Sequence, residues 1–351
     1  MRILRRALVL SAAAALSCCT SQSPSPWDAL NEQTLAAFRA GKYDACIESG
    51  RKGAALADAE TDPKSDHLLN SLNYIAICAM NKGDPALARD SFERARAVAE
   101  KAGDNLQPNY LTTIYNNLAT LAWSQGRRSD AETLHKANLA RVEKAFGPDS
   151  ENVALTKANL GALYLELGRY DEAQPLIEAA LAICQHRNCP QLFPIQDAAG
   201  KLYTKQGKFD KAEAIFASTL AYEEKDRRAD VSRTQTLRAV GDLAVARGDD
   251  ARAQATYERA IKLATKAFPD PRFIAGVDGD LAAVHARQGR DAEAEPLFRS
   301  AIGVQQTAVG MDATELVKNL DGLAAVCART GRNDEASALR QRAAAMGPSI
   351  H

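Results

Sequence analysis

The chain has 351 residues with 25% charged and 6% aromatic side chains, and its 44 lysines and arginines equal its 44 aspartates and glutamates. This balance, without a basic patch, argues against a nucleic-acid partner. The five histidines are scattered, and nucleotide-binding and hydrolase signatures are absent. The sequence therefore predicts no catalytic residues, no metal and no cofactor.

The first 19 residues have the features of a signal peptide. Three arginines among the first six residues precede an apolar stretch over residues 7–16, which is too short to span a bilayer. The stretch ends in Ser17-Cys18-Cys19, which resembles a bacterial lipobox with Cys19 as the lipidated residue and Cys18 as the alternative. Ordinary cleavage without lipidation is a third possibility. We expect an outer-membrane lipoprotein facing the periplasm or a soluble periplasmic protein, and we expect residues 20–29 to form a flexible tether.

Residues 30–345 are predicted to form a tandem repeat. Eight glycines recur at nearly equal intervals along the chain: Gly41, Gly83, Gly126, Gly168, Gly207, Gly248, Gly289 and Gly331. Each is followed five residues later by alanine, except that Cys46 takes this position in the first repeat. A fixed period of this length indicates stacked supersecondary units.

The repeat around Gly168 predicts a helical hairpin. Leu160, Tyr164 and Leu167 fall on one face of a helix with 3.6 residues per turn. Gly168 can adopt the left-handed conformation that ends this helix. Small residues before and after each such turn, here Ala173 in the second helix, predict that the two helices approach closely.

The order Leu160-Gly161-x-x-Tyr164-x-x-x-Gly168-x-Tyr170-x-x-Ala173 resembles the tetratricopeptide repeat. A period near 42 residues and the run Asn116-Asn117-Leu118-Ala119 resemble the kinesin light chain subtype. The resemblance implies an all-α, right-handed superhelical solenoid of about seven to eight tandem helix-turn-helix hairpins, followed by a tail over residues 346–351. It also implies a concave groove, lined by the first helix of each hairpin, in which members of the family bind peptides.

Position within the repeat assigns a set of side chains to this groove. The residues predicted to contact a partner are Asn70, Asn73, Asn116, Asn117, Thr120, Trp123, Asn159 and Lys201, and the same face is expected to present Asp197, Arg238 and Asp242. Asparagine amides can hold an extended peptide through its backbone. Two alternatives stay open: that Asn117 and Asn159 instead brace neighbouring helices, and that Trp123 is a core residue.

Two pairs of cysteines lie close together in the predicted fold. Cys184 and Cys189 are predicted to form a disulfide, since an exported protein meets an oxidising compartment. A Cys-x-His-x-x-Cys metal site is less favoured, because three ligands in so short a run rarely satisfy tetrahedral geometry. Two free thiols are the remaining possibility. Cys46 and Cys78 lie on neighbouring helices, where they either pair or serve as small buried residues.

The sequence as a whole predicts a non-catalytic scaffold in the bacterial cell envelope. Its expected partners are a protein or peptide of unknown identity and the membrane, through an N-terminal lipid anchor. The alternatives are a structural accessory for assembly of an envelope or secretion complex, and a regulatory subunit of a separate enzyme.

Overall fold

The computed structural model describes residues 25–59, 65–102, 108–187, 189, 192–224, 230–267, 270–307 and 313–346. The signal peptide and both candidate lipidation residues, Cys18 and Cys19, lie outside the described residues. By its contacts the chain divides into two compact units, residues 1–160 (unit 1) and residues 161–351 (unit 2).

Sixteen α-helices and no strand occur in the described part of the chain. They are α1 Pro26–Arg39, α2 Tyr43–Asp58, α3 Ser65–Lys82, α4 Pro85–Ala102, α5 Pro108–Ser124, α6 Arg128–Phe146, α7 Glu151–Glu166, α8 Tyr170–Arg187, α9 Leu192–Lys205, α10 Phe209–Glu223, α11 Asp230–Arg247, α12 Asp250–Ala267, α13 Pro271–Arg287, α14 Asp291–Thr307, α15 Ala313–Arg329 and α16 Asn333–Ala345. Odd-numbered helices are the first helices of hairpins and even-numbered helices the second, so the predicted all-α array of tandem hairpins is confirmed.

The glycine at each turn ends the first helix as predicted. Gly168 has φ 71°, a left-handed conformation that costs glycine nothing. The Arg169 amide then donates to the Tyr164 carbonyl at 2.8 Å, the bond that closes a Schellman motif. The chain reverses within three residues, which places the second helix against the first.

The first helix begins earlier than the predicted tether allows, because α1 starts at Pro26. Ser25 and Asp28 form a reciprocal capping box at its N-terminus. Trp27 is 5% exposed, stacks on His67 at a centroid distance of 3.9 Å, and donates from Nε1 to Ser71 Oγ at 3.1 Å. Residues 26–29 therefore belong to the array, since a buried tryptophan fixes them to α3.

Glycines on the first helices of unit 2 make room for large side chains on the second helices. A Cβ added at Gly200 would lie 2.4 Å from the Phe216 ring, and one at Gly241 would lie 2.3 Å from the Tyr257 ring. Phe216 and Tyr257 are each 1% exposed. The predicted close approach of the two helices is thus a contact between an aromatic ring of the second helix and the backbone of the first helix at its glycine. The ring belongs to the residue one turn after the repeat alanine of the second helix.

Ion pairs at the turn edge join hairpins at four junctions in the described part of the chain. The last turn of a first helix supplies a cation, and the first turn of the preceding second helix supplies a carboxylate. The pairs are Lys82–Asp44 in unit 1, and Arg247–Asp210, Arg287–Asp250 and Arg329–Asp291 in unit 2, with N–O distances of 2.5 to 2.7 Å. We call these contacts the edge pairs.

None of the described helices combines the length and apolar character needed to cross a bilayer.

Candidate functional site

The first helices of unit 1 share a face that carries amide side chains. Asn117 on α5 donates from Nδ2 to Asn73 Oδ1 on α3 at 2.7 Å. Asn70, one turn earlier on α3, donates to the Tyr110 hydroxyl at 3.4 Å. Asn70 and Asn73 are half-buried, so part of each amide remains accessible. We refer to this side of the odd-numbered helices, in each unit, as the first-helix face.

Three of the predicted partner-binding residues are buried and bonded to protein atoms. Asn116 is 5% exposed and accepts a hydrogen bond from Asn138 of α6 at 3.1 Å, within one hairpin. Asn117 is 1% exposed, and Thr120, 2% exposed, donates to the Asn116 carbonyl at 2.9 Å. Of the two residues for which bracing was the alternative, Asn117 is bonded across to the neighbouring first helix. Asn116 is bonded within its hairpin and Thr120 within its own helix.

The remaining predicted residues of unit 1 are half-buried. Asn159 lies on α7 with part of its side chain accessible. Trp123 lies in the last turn of α5, and the Arg128 guanidinium stands 5.3 Å from its ring centroid. This contact is short enough for a cation–π interaction, which leaves Trp123 less exposed than its position in the repeat predicts.

On the first-helix face of unit 2, charges replace the amides. Lys201 on α9 forms an ion pair with Asp197 one turn earlier, at 2.7 Å, and the Asp197 side chain is 7% exposed. Lys201 is therefore tied to its own helix and only half accessible.

The next three first helices of unit 2 are joined by an ionic cluster of Arg238, Asp242, Asp280, Glu315 and Lys318. Asp280 of α13 accepts from Arg238 Nε of α11 at 2.7 Å and from Lys318 Nζ of α15 at 2.7 Å. Arg238 also reaches Glu315 of α15 at 3.1 Å. The cluster is graded in exposure, from 6% for the Asp280 side chain to 61% for Lys318.

Gly276 on α13 leaves space for this cluster, and Gly279 on the same helix leaves space for Asn319 of α15. A Cβ added at Gly276 would lie 3.0 Å from Arg238 Nη1 and 3.3 Å from Glu315 Oε2. A Cβ at Gly279 would lie 2.3 Å from Asn319 Oδ1. Because residue 276 is glycine, Arg238 can reach α15 past α13, whereas the space at Gly279 is taken by Asn319, which is not a member of the cluster.

The pKa values of Asp280 and Arg238, the two buried members of the cluster, depend on each other. Burial alone would raise the pKa of Asp280, but Arg238 and Lys318 outweigh it and hold that pKa below its usual value. Burial would lower the pKa of Arg238, but Asp280 and Glu315 keep it well above its ordinary value. Both groups are therefore charged at neutral pH, and each depends on the other.

Asp242 is exposed and, unlike the other members of the cluster, makes no ion pair with a described residue. Its Oδ1 accepts from the Tyr257 hydroxyl of α12 at 2.6 Å. Burial and the charge of Asp242 raise the pKa of Tyr257, so the hydroxyl stays a donor.

Sequence reasoning found Arg238 and Asp242 by their position in the repeat but missed Asp280, Glu315 and Lys318. Arg238 and Asp280 are separated by 42 residues, close to the repeat period. Pairing opposite charges one period apart would have found Asp280. Glu315 lies almost two periods beyond Arg238, and no rule based on neighbouring repeats would select it.

The cysteine pairs are bonded in the structure. Cys184 and Cys189 are linked at the end of α8, and Cys46 of α2 is linked to Cys78 of α3, with Cα atoms 4.8 Å and 6.4 Å apart. Cys327 is a buried free cysteine. No group of histidine, cysteine or acidic residues suited to a metal occurs among the described residues.

Two family models, both described as Tetratricopeptide repeat, match this chain. One matches residues 110–186 and 273–349, and the other matches residues 197–228. Together they cover more than half of the chain. With the hairpin geometry above, this shows that the chain belongs to the tetratricopeptide repeat proteins.

Particular relatives refine the comparison. Protein KINESIN LIGHT CHAIN-RELATED 3 of Arabidopsis thaliana is 22% identical over 211 residues, which are 58% of this chain; the match spans about a third, 32%, of the relative. The crystal structure of BtubC (BKLC) from P. vanneervenii has a TM-score of 0.53 and 23% identity, and the match covers 70% of this chain and 95% of that one. NprR in complex with its cognate peptide NprX has a TM-score of 0.61 and 14% identity, with 90% and 88% covered. These structural likenesses show the fold.

Proposed function

We propose that this protein is a non-catalytic scaffold that binds a peptide or a protein segment along its first-helix face. The observation that supports this most is the polar lining of that face in both units, where side chains from successive first helices meet. The interiors of the hairpins, in contrast, are filled with alanine, leucine and aromatic residues. A row of polar groups on an otherwise apolar repeat is suited to holding a chain by hydrogen bonds and charge.

The exposed fraction of each side chain selects the contact residues. In unit 1 these are Asn70, Asn73, Asn159 and Trp123, which are half-buried and supply amide groups and one indole. In unit 2 they are Lys201, Asp242 and Lys318. The peptide complex of NprR, a protein of similar fold, is consistent with this use of the array.

We further propose that the chain acts in the bacterial cell envelope, anchored through Cys19 or, in its place, Cys18. The lipobox-like sequence supports the anchor, and the two bonded cysteine pairs support an oxidising compartment. A lipid anchor and a peptide-binding face would together hold a partner near a membrane.

Site-specific photocrosslinking tests the binding surface. A photoreactive amino acid placed at Asn70 or Asp321, on first helices, should capture a partner in envelope fractions. Lys136 on the second helix α6 has a side chain that is 57% exposed, and it serves as the control position. Capture at Lys136 but not at the first-helix positions would move the working surface elsewhere and refute the proposal.

Cys19→Ala tests the location separately. Loss of lipid labelling would support the anchor. Labelling that persists in Cys19→Ala and disappears in Cys18→Ala would show that Cys18 is the lipidated residue. Absence of labelling in the native chain and in both variants would refute the lipid anchor.

A further inference from the structure

We infer that the first-helix face of unit 2 recognises a basic side chain, lysine or arginine, of its partner, with Asp242 as the residue that receives it. This inference rests on the proposed peptide-binding function and names the chemistry of one subsite.

The charge count of the ionic cluster leaves one negative charge in excess. Arg238 and Lys318 are the two cations, and Asp280 and Glu315 neutralise them at distances of 2.7 to 3.1 Å. Asp242 is the third carboxylate, and it makes no ion pair with a described residue. Burial and the charge of Asp280 raise the pKa of this carboxylate. An incoming cation would favour its charged form and complete the cluster.

Asp242 is also held in place before any ligand binds. The Tyr257 hydroxyl that donates to it belongs to a side chain that is only 1% exposed. Phe216 and Phe298 occupy the same repeat position in other hairpins of unit 2 and have no hydroxyl. Of the residues at this repeat position, only the tyrosine has a hydroxyl that can orient a carboxylate. A carboxylate that is held in place before binding lowers the entropic cost of binding.

The neighbouring first helices leave room for a peptide backbone. Ala283 and Ala286 of α13 occupy the half-buried positions on the same face, next along the array from Asp242. Asp321 of α15 is exposed and adds a second carboxylate without an ion pair to a described residue. On α9, in contrast, Lys201 occupies the position equivalent to Asp242 and is paired with Asp197. A cation is therefore favoured at α11 rather than at α9.

A peptide-library selection tests the inference. The probe is a pool of random decapeptides passed over the immobilised full chain, with bound peptides identified by mass spectrometry. We expect peptides containing arginine or lysine to be enriched about fivefold over glutamate-containing ones, and Asp242→Asn to remove most of that preference. Tyr257→Phe, which keeps the ring found at Phe216, should reduce the preference without changing the melting temperature. Asp334→Asn, an exposed acid on the second helix α16, is the matched control and should change nothing.

The outcomes separate this inference from the proposal on which it rests. Enrichment of peptides without a basic preference, or a preference for acidic ones, would overturn the inference and leave the peptide-binding function standing. The inference is overturned in the same way if Asp242→Asn binds the pool as the native chain does. If no chain retains any peptide, both the subsite and the peptide-binding function fail.

Discussion

Arg238 on α11 and Glu315 on α15 form an ion pair of 3.1 Å, although these helices belong to hairpins that are two apart in the chain. Contacts in a repeat array are usually confined to neighbouring repeats. Here a long guanidinium side chain passes Gly276 and bonds Asp280 on the way. Three successive first helices are thus joined through one cation.

Removing Asp280 should destabilise this part of unit 2. Asp280→Ala leaves Arg238 with its nearest counter-ion gone in a site where only 20% of its side chain is exposed. We expect a loss of about 3 kcal/mol, at the low end for a broken buried pair because Glu315 remains. Urea unfolding with hydrogen exchange on α11 and α13 would measure it. Lys318→Met is the control and should cost less than about 1 kcal/mol, since Lys318 is largely exposed. Equal losses in both variants would refute this account of the cluster.

Gly241→Ala should be destabilising even though alanine favours a helix. The added methyl would lie 2.3 Å from the buried Tyr257 ring, and relieving such an overlap costs about 1–3 kcal/mol. Gly303→Ala on α14 is the matched change, because a Cβ there meets nothing within 4 Å. It should gain up to about 1 kcal/mol of helix stability. Thermal melts of the two variants should therefore shift in opposite directions.

His135 should make unit 1 sensitive to acid. It is 2% exposed, burial lowers its pKa to about 4, and its Nδ1 has no hydrogen-bond partner. Between pH 6.5 and about 4 the unfolded chain binds a proton that the folded chain does not. The free energy of unfolding should therefore decrease over that window, by on the order of 3 kcal/mol from this group.

The variant His135→Phe isolates that effect. Phe92 occupies the same repeat position one hairpin earlier, is fully buried, and lies opposite an alanine, Ala76, as His135 lies opposite Ala119. Denaturant unfolding at pH 7 and pH 4.5 should show a smaller pH dependence in the variant than in the native chain. An unchanged pH dependence would mean that other groups titrate with folding.

The two disulfides should differ in their effect on stability. The Cys46–Cys78 bond closes a loop with a sequence separation of 32, and the Cys184–Cys189 bond one of 5. In the chain-entropy model the first is worth up to about 4 kcal/mol and the second about 2 kcal/mol. Replacing both cysteines of each pair by alanine and comparing urea midpoints in unit 1 and unit 2 would check this. A larger loss from the short loop would show that strain or packing outweighs entropy.

The fold was predictable because it depends on local, repeated signals. Gly168 and its equivalents mark each turn, and the alternation of small and large residues predicts which helices pack. The start of α1, over residues 26–29, was missed because Trp27 precedes the first recognisable repeat, and the contacts that bury it come from Ser71 and His67 of another hairpin.

Repeat position predicted which helix face carries the candidate site, but not which of its side chains are buried or paired. Repeat position predicted that Asn117 shares a helix face with Asn73, but the hydrogen bond between their side chains is a contact that periodicity does not encode. Glu315 could not be found at all, because its pairing with Arg238 depends on the length of an arginine and the absence of a side chain at Gly276.

The edge pairs also bear on how such an array can be lengthened or shortened. Arg247–Asp210, Arg287–Asp250 and Arg329–Asp291 join positions that are 37 or 38 residues apart, whichever hairpins are involved. A duplicated hairpin inserted in unit 2 would bring one cation and one carboxylate at the correct spacing, so both new junctions would find their partners. Whole repeats are therefore interchangeable parts at this edge. The Arg238–Glu315 contact has no such modularity, and a hairpin inserted between α11 and α15 would break it.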